Sequence, residues 1–189
     1  FISHAVVDSS VTKPFVDLLM NGIGIPFDTI FFSGNKGQGI KPGADFKESI
    51  RESLDDATTV LALISENYYN SPFCMCELGG TWLQAKNFLP IIVPPLKFKD
   101  LKAVLIGLQA SCLNRKDDLD ELRDELIERL EIKKPRPTPK WNQECKKFLE
   151  ALDGYLEEIP TTPIIQRSEY DQIVEQLQEY TDELETCYS

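Results

Sequence analysis

Thr59-Val60-Leu61-Ala62-Leu63-Ile64-Ser65-Glu66-Asn67-Tyr68-Tyr69-Asn70-Ser71-Pro72-Phe73-Cys74-Met75-Cys76-Glu77-Leu78-Gly79-Gly80-Thr81-Trp82 decides how this chain folds. Its first six residues form an apolar run of strand length and β-rich character. Asn67 to Asn70 reads as a turn. Ser71 then offers an N-cap, and Pro72 stands where a first helical residue tolerates proline. The passage is therefore a buried strand, a loop across its C-terminal edge, and a helix. In open α/β sheets ligands bind outside that edge. Glu77 falls in the second turn of the helix, near enough to face the crevice.

Outward from this stretch, strands and helices alternate. Phe1 to Ala5 reads as the end of a first parallel strand, with Ser9 or Ser10 available to cap the next helix. Val11, Phe15, Leu18 and Leu19 recur at helical spacing up to Asn21, and Gly22 ends the helix. Asp28 to Ser33 is a second strand. Residues 34–46 carry four glycines and a proline and form a loop. Phe46, Ile50 and Leu54 give the following helix its apolar face. Phe88 to Val93 is a fourth strand, closed by Pro94-Pro95. Leu101 to Leu108 is short helix or irregular chain, and Ala110 to Leu113 a short fifth strand. Asp117 to Leu130 is a helix with Leu119, Leu122, Leu126 and Leu130 on one face.

Three alternating prolines mark 133–140 as an extended linker. The expected organisation is a core domain over 1–132, the linker, and a helical extension over 141–189. Within the extension, Asn142 to Glu157 is amphipathic, with Phe148, Leu152 and Tyr155 inward. Ser168 to Thr186 repeats Tyr170, Ile173, Leu177, Tyr180 and Leu184 at heptad spacing. That seam serves either packing within the chain or docking of a second copy or a partner.

The net charge of −11 leaves no basic patch for nucleic acid or an anionic membrane. No run reaches membrane-spanning length. No signal peptide is visible, although with no initiator Met the first strand is expected to begin upstream of Phe1. Five cysteines without a paired framework point to a reducing cytoplasm. One residue between Cys74 and Cys76 is poor zinc spacing, and His4 is the sole histidine, so no metal site is expected.

The run of Ser65, Asn67-Tyr68, Ser71, Phe73-Cys74 and Glu77-Leu78 resembles the Toll/interleukin-1 receptor (TIR) domain, in its bacterial-type, NAD+-cleaving branch. Phe1-Ile2-Ser3 is similar to the family's first box. The glycine pattern from Gly37 through Gly39-Ile40 and Gly43 to Phe46 is similar to its BB loop. The resemblance covers residues 1 to 132. It implies a flavodoxin-like α/β fold with a central five-stranded parallel sheet flanked by helices, and here a C-terminal helical extension. It further implies that Glu77 is catalytic in cleaving the nicotinamide–ribose bond of NAD+. The products are nicotinamide with ADP-ribose or a cyclic isomer, no cofactor is needed beyond NAD+ as substrate, and the biological setting is anti-phage defence switched on by self-assembly. Self-association runs through the loop 34–46 and, by its seam, the helix 168–186.

The chemistry is within a glutamate's reach. The transition state is oxocarbenium-like, so positive charge grows on the ribose, and a carboxylate beside it stabilises that charge without metal or covalent intermediate. Phe73 precedes Glu77 by four residues and shares its helix face, where it either stacks a planar ring or packs in the core. By the family pattern Ser33, Lys41 and Gly43 border the pocket, with Lys41 as phosphate contact. His4, at the end of the first strand, either touches the nucleotide or is an ordinary loop residue. A non-catalytic TIR interaction module is the alternative. A flavodoxin-like nucleotide binder lacks a phosphate loop after the first strand.

Overall fold

The computed structural model describes residues 1–32, 46–83 and 87–158. The chain divides into two compact units, Phe1–Glu157 and Glu158–Ser189, and the elements below lie in the first to within one residue. The C-terminal helix expected over 168–186 lies outside the described residues.

Four parallel strands form one sheet in the order β1 (Ile2–Ser3), β2 (Thr59–Ile64), β3 (Asn87–Ile92), β4 (Ser111–Cys112). Ile2 pairs with Leu61, Leu61 with Leu89, and Ile91 with Ser111. The five strands expected become four among the described residues. Chain expected to enter a strand at Asp28 instead makes a single 3-10 turn, Phe27–Thr29. Phe32 then contributes one parallel bridge to Ile2, and the Phe31 carbonyl accepts from Ile2 N–H at 2.8 Å. Pro26 sets up this turn: its carbonyl accepts both the Thr29 N–H at 3.1 Å and the Thr29 hydroxyl at 2.7 Å. Phe32 still occupies the far side of β1 from β2. The strand order therefore reverses between β1 and β2, and such a switch point opens a crevice at the C-terminal edge.

Strand alternation divides the core into two layers. Ile2, Leu61, Leu63 and Ile91 point to one side, against α1 (Ser9–Leu18), α5 (Lys116–Arg129) and α6 (Thr138–Glu158). Ala62, Ile64 and Ile92 point to the other, against α3 (Glu66–Tyr69) and α4 (Pro72–Leu83). A further helix, α2 (Phe46–Asp56), leads into β2.

Three local expectations are corrected. Asn67 to Asn70 is not a simple turn, because Ser65 caps the short helix α3 by accepting from Tyr68 N–H at 2.9 Å. Ser9 is the first residue of α1 and gives it no side-chain cap; its hydroxyl turns back to the Val6 carbonyl. Gly22 does not end the first helix. The helix continues as a π turn over Leu19–Ile23, and Gly24 is the left-handed cap at φ 100°.

Beyond α5 the proline-rich stretch follows the domain surface. Arg136 N–H donates to the Ile23 carbonyl at 2.9 Å, and Arg123 donates to the Arg136 carbonyl at 3.1 Å. Helix α6 opens at Thr138 rather than Asn142, with Pro139 in the first turn where a missing N–H costs little. Trp141, Cys145, Phe148 and Leu152 are buried in the same core layer as Phe15 and Leu119. No helix among the described residues is long and apolar enough to cross a membrane.

Candidate functional site

The site is assembled where β1 and β2 end. In α4, the Ser71 hydroxyl accepts from Cys74 N–H at 3.3 Å, as its place before Pro72 requires. That cap fixes the register of the helix, and two turns in, Glu77 points back to the sheet. Only 9% of its surface is exposed. Ser3 pairs with Ala62, so its side chain lies on the α4 side of the sheet. The Ser3 hydroxyl donates to Glu77 Oε2 at 2.5 Å. It also meets the hydroxyl of Tyr68 at 3.0 Å. A serine has one proton, and here Glu77 takes it, so the Tyr68 hydroxyl is the donor to Ser3.

Burial dominates the electrostatics of this cluster. It raises the Glu77 carboxyl to about 7, and the Ser3 hydrogen bond offsets part of that rise by favouring the charged form. Burial also raises the Tyr68 phenol, with Ser3 acting in the opposite direction and the Cys74 and Glu77 charges adding to the rise. Tyr68 is thus a neutral donor throughout the physiological range. Glu77 changes charge near neutrality, which is the property an acid–base or charge-stabilising group needs.

Phe73 sits one turn before Glu77 with 37% of its surface exposed, so α4 presents an aromatic ring beside the carboxylate's helix face. Of the other residues singled out in the sequence, His4 alone is among the described residues. His4 follows Ser3 and faces the opposite layer, its ring 6.0 Å from that of Phe32. Among the described residues neither ring nitrogen has a hydrogen-bond partner. Burial lowers its basicity, and the Ile2 backbone and the Asp8 charge offset this in part. Ser33, Lys41 and Gly43 lie outside the described residues.

Sequence reasoning passed over Ser3, Asp8 and Tyr68. Ser3 and Tyr68 stand inside the motifs quoted above, but only their contact across the sheet reveals a common role. Asp8 is wholly buried and accepts from Ser65 Oγ at 2.5 Å and Asn67 Nδ2 at 2.7 Å. A carboxylate in an otherwise apolar 3-10 turn, Val6–Asp8, was the available signal.

Cavities lie at both edges of the sheet among the described residues. One of about 520 Å³ lies at the C-terminal edge, lined by Glu66, Tyr69, Asn70, Lys99 and Lys102 among others. There the Lys102 N–H donates to the Tyr69 hydroxyl at 2.9 Å while its ammonium sits 5.3 Å from the ring centre. The other, about 510 Å³, lies at the N-terminal edge beside Phe1, Ile30 and Thr59 and is lined mainly by apolar side chains. The C-terminal edge carries the polar, titrating groups.

Comparison with known proteins agrees with the α/β fold. An uncharacterized protein, YddK, of Bacillus subtilis (strain 168) is 28% identical over 148 residues, which cover 78% of this chain and 54% of that protein. The chain thus spans about half the length of the curated relative it matches. The family model for the TIR domain matches residues 1–127, a stretch that contains Ser3, Tyr68 and Glu77 together with all four strands. The chain belongs to the TIR domain family.

Proposed function

We propose that this chain cleaves the nicotinamide–ribose bond of NAD+, with Glu77 as the catalytic carboxylate. The observation that carries the reading is the Ser3–Glu77 pair: a buried carboxyl near neutrality, held at one oxygen by a hydroxyl, at the switch point of a parallel sheet. NAD+ brings a cationic nicotinamide ring. Docked beside Glu77, that charge favours the ionised carboxylate, and the growing charge on the ribose favours it further. Phe73 stacks the planar ring. Ser33, Lys41 and Gly43 bind the remainder of the dinucleotide, on the strength of the sequence resemblance alone, whereas His4 is buried against Phe32 and turned away from Glu77. Water attack gives ADP-ribose; attack by the adenine gives a cyclic isomer. On the strength of the sequence resemblance, the setting is anti-phage defence, with activation by self-association through residues 34–46.

A second reading has one observation in its favour. The closeness of burial around Glu77 also suits a structural carboxyl in a non-catalytic TIR interaction module.

Nicotinamide release from NAD+ at high protein concentration, wild type beside Glu77→Ala, separates the two. Turnover that disappears in the variant, with ADP-ribose or its cyclic isomer identified by chromatography, is the expected result. Absence of turnover in the assembled wild-type protein would favour the interaction module.

A further inference from the structure

Asp8 is the most deeply buried carboxylate at this edge, with no exposed surface, and no ion pair reaches it among the described residues. Its charge rests on neutral donors. Ser65 Oγ and Asn67 Nδ2 come from the loop after β2. The third donor, Tyr155 Oη at 3.2 Å, comes from the last turns of α6, outside the stretch that matches the family. The Asp8 carbonyl also accepts from Thr12 Oγ1 at 3.0 Å, which ties it to α1. Removing one donor from such a group is costly because nothing else compensates the charge.

These bonds lead towards Glu77 by way of Tyr68, whose backbone N–H meets Ser65 and whose hydroxyl meets Ser3. Tyr155 donates to Asp8; Ser65 donates to Asp8 and caps Tyr68; Tyr68 donates to Ser3; Ser3 donates to Glu77. Ser65 donates its single proton to Asp8 and accepts from Tyr68 N–H through a lone pair, so Asp8 orients the capping hydroxyl. The cap fixes the backbone of α3, and the rigid phenol carries that position to Ser3.

We propose that Asp8 is a positioning residue for the Glu77 carboxylate, and that Tyr155 braces it from helix α6. The helix outside the family match is then part of the site's scaffold. The positioning itself stands apart from the NAD+ reading, but its effect on turnover rests on that reading.

Asp8→Asn and Tyr155→Phe, made in the full chain, test it against Ser3→Ala. The first readout is the titration of the Glu77 side chain, followed by NMR of carbon-13-labelled glutamate and assigned with Glu77→Gln. Ser3→Ala removes a bond that favours the charged form, so the midpoint rises by about 0.5–1 pH unit. Asp8→Asn and Tyr155→Phe are expected to raise it in the same direction by roughly 0.3 pH unit. Loss of the Asp8 charge alone would lower the midpoint, so a rise distinguishes positioning from simple electrostatics. The second readout is nicotinamide release, where kcat falls several-fold with KM little changed. A midpoint unmoved in Tyr155→Phe and unmoved or lowered in a folded Asp8→Asn would overturn the proposal. A rise in Asp8→Asn alone would keep Asp8 and overturn the brace. Should Asp8→Asn not fold, Tyr155→Phe decides. Should the wild type show no turnover, the NAD+ reading fails while the titration still decides the positioning.

Discussion

Trp141 lies directly on Gly22: a Cβ at Gly22 would stand 2.8 Å from Trp141 Cε3. No real Cβ tolerates that approach to a ring, and the ring cannot easily yield. Its indole N–H is bonded to Asp120 Oδ1 at 2.5 Å, and the cations of Lys116 and Arg123 lie 5.9 and 5.7 Å from its centre. Glycine at position 22 therefore answers a packing demand from a helix more than a hundred residues later.

Gly22→Ala should destabilise the protein by about 1–3 kcal/mol through overpacking. Urea unfolding followed by circular dichroism measures it. A fluorescence spectrum of Trp141 unchanged in the variant, with unchanged stability, would contradict the contact.

Trp141→Ala should cost roughly 3–5 kcal/mol, the range for deleting a large buried aromatic. The same unfolding experiment reports it. A loss below about 1 kcal/mol would mean that α6 is peripheral to the fold rather than part of its core.

Glu77 sets a pH dependence of stability whose sign is fixed. Its carboxyl is raised from 4.5 to about 7 in the folded protein, chiefly by burial. The folded state therefore favours the protonated form. That contribution is fully present below pH 4.5 and is lost as pH rises through about 7. Glu77→Gln should be more stable than wild type at pH 8.5 by roughly 2–3 kcal/mol, or about 5–10 °C in Tm. The difference should vanish near pH 4. Parallel melting curves across that range would refute the assignment of a raised carboxyl.

If the ionised carboxylate stabilises the ribose cation, kcat/KM for nicotinamide release should rise with pH through about 7 and then level. A rate that falls over the same interval would assign Glu77 the role of a proton donor instead.

Thiol chemistry gives an independent check on burial. Cys76 is exposed, whereas Cys74, Cys112 and Cys145 are buried. Burial raises all three buried thiols, Cys145 to about 11. In a Cys187→Ser background at pH 8, one thiol should react rapidly with a disulfide reagent and the others at least ~100-fold more slowly. Cys76→Ser should abolish the fast phase.

Much of this was legible in the sequence because it is local. The apolar run Thr59 to Ile64, the Ser71-Pro72 helix start and the leucine face of Leu119, Leu122 and Leu126 each declare their structure within a few residues, and the structure has them there. What was not legible depends on partners far along the chain. Gly22 looked like a helix end because its real reason is Trp141. Asp28 to Ser33 looked like a strand by composition, yet the Pro26 turn takes up its first residues and leaves one bridge among the described residues. Glu77 was found through its motif, but its hold on Ser3 spans 74 positions and no local pattern announces it. Asp8 escaped notice because its donors come from residues 65, 67 and 155.

The packing of α6 has a practical corollary. Its inner face covers Phe15, whose ring lies 5.9 Å from that of Phe148, and fills the layer that Leu119 and Leu126 also line. A chain cut where the family match ends, at residue 127, would leave that apolar strip open to water and to other copies. Such a fragment should aggregate or be degraded, whatever its sheet can do. The portion that could be moved intact into a chimera, or expressed alone, runs through the end of α6.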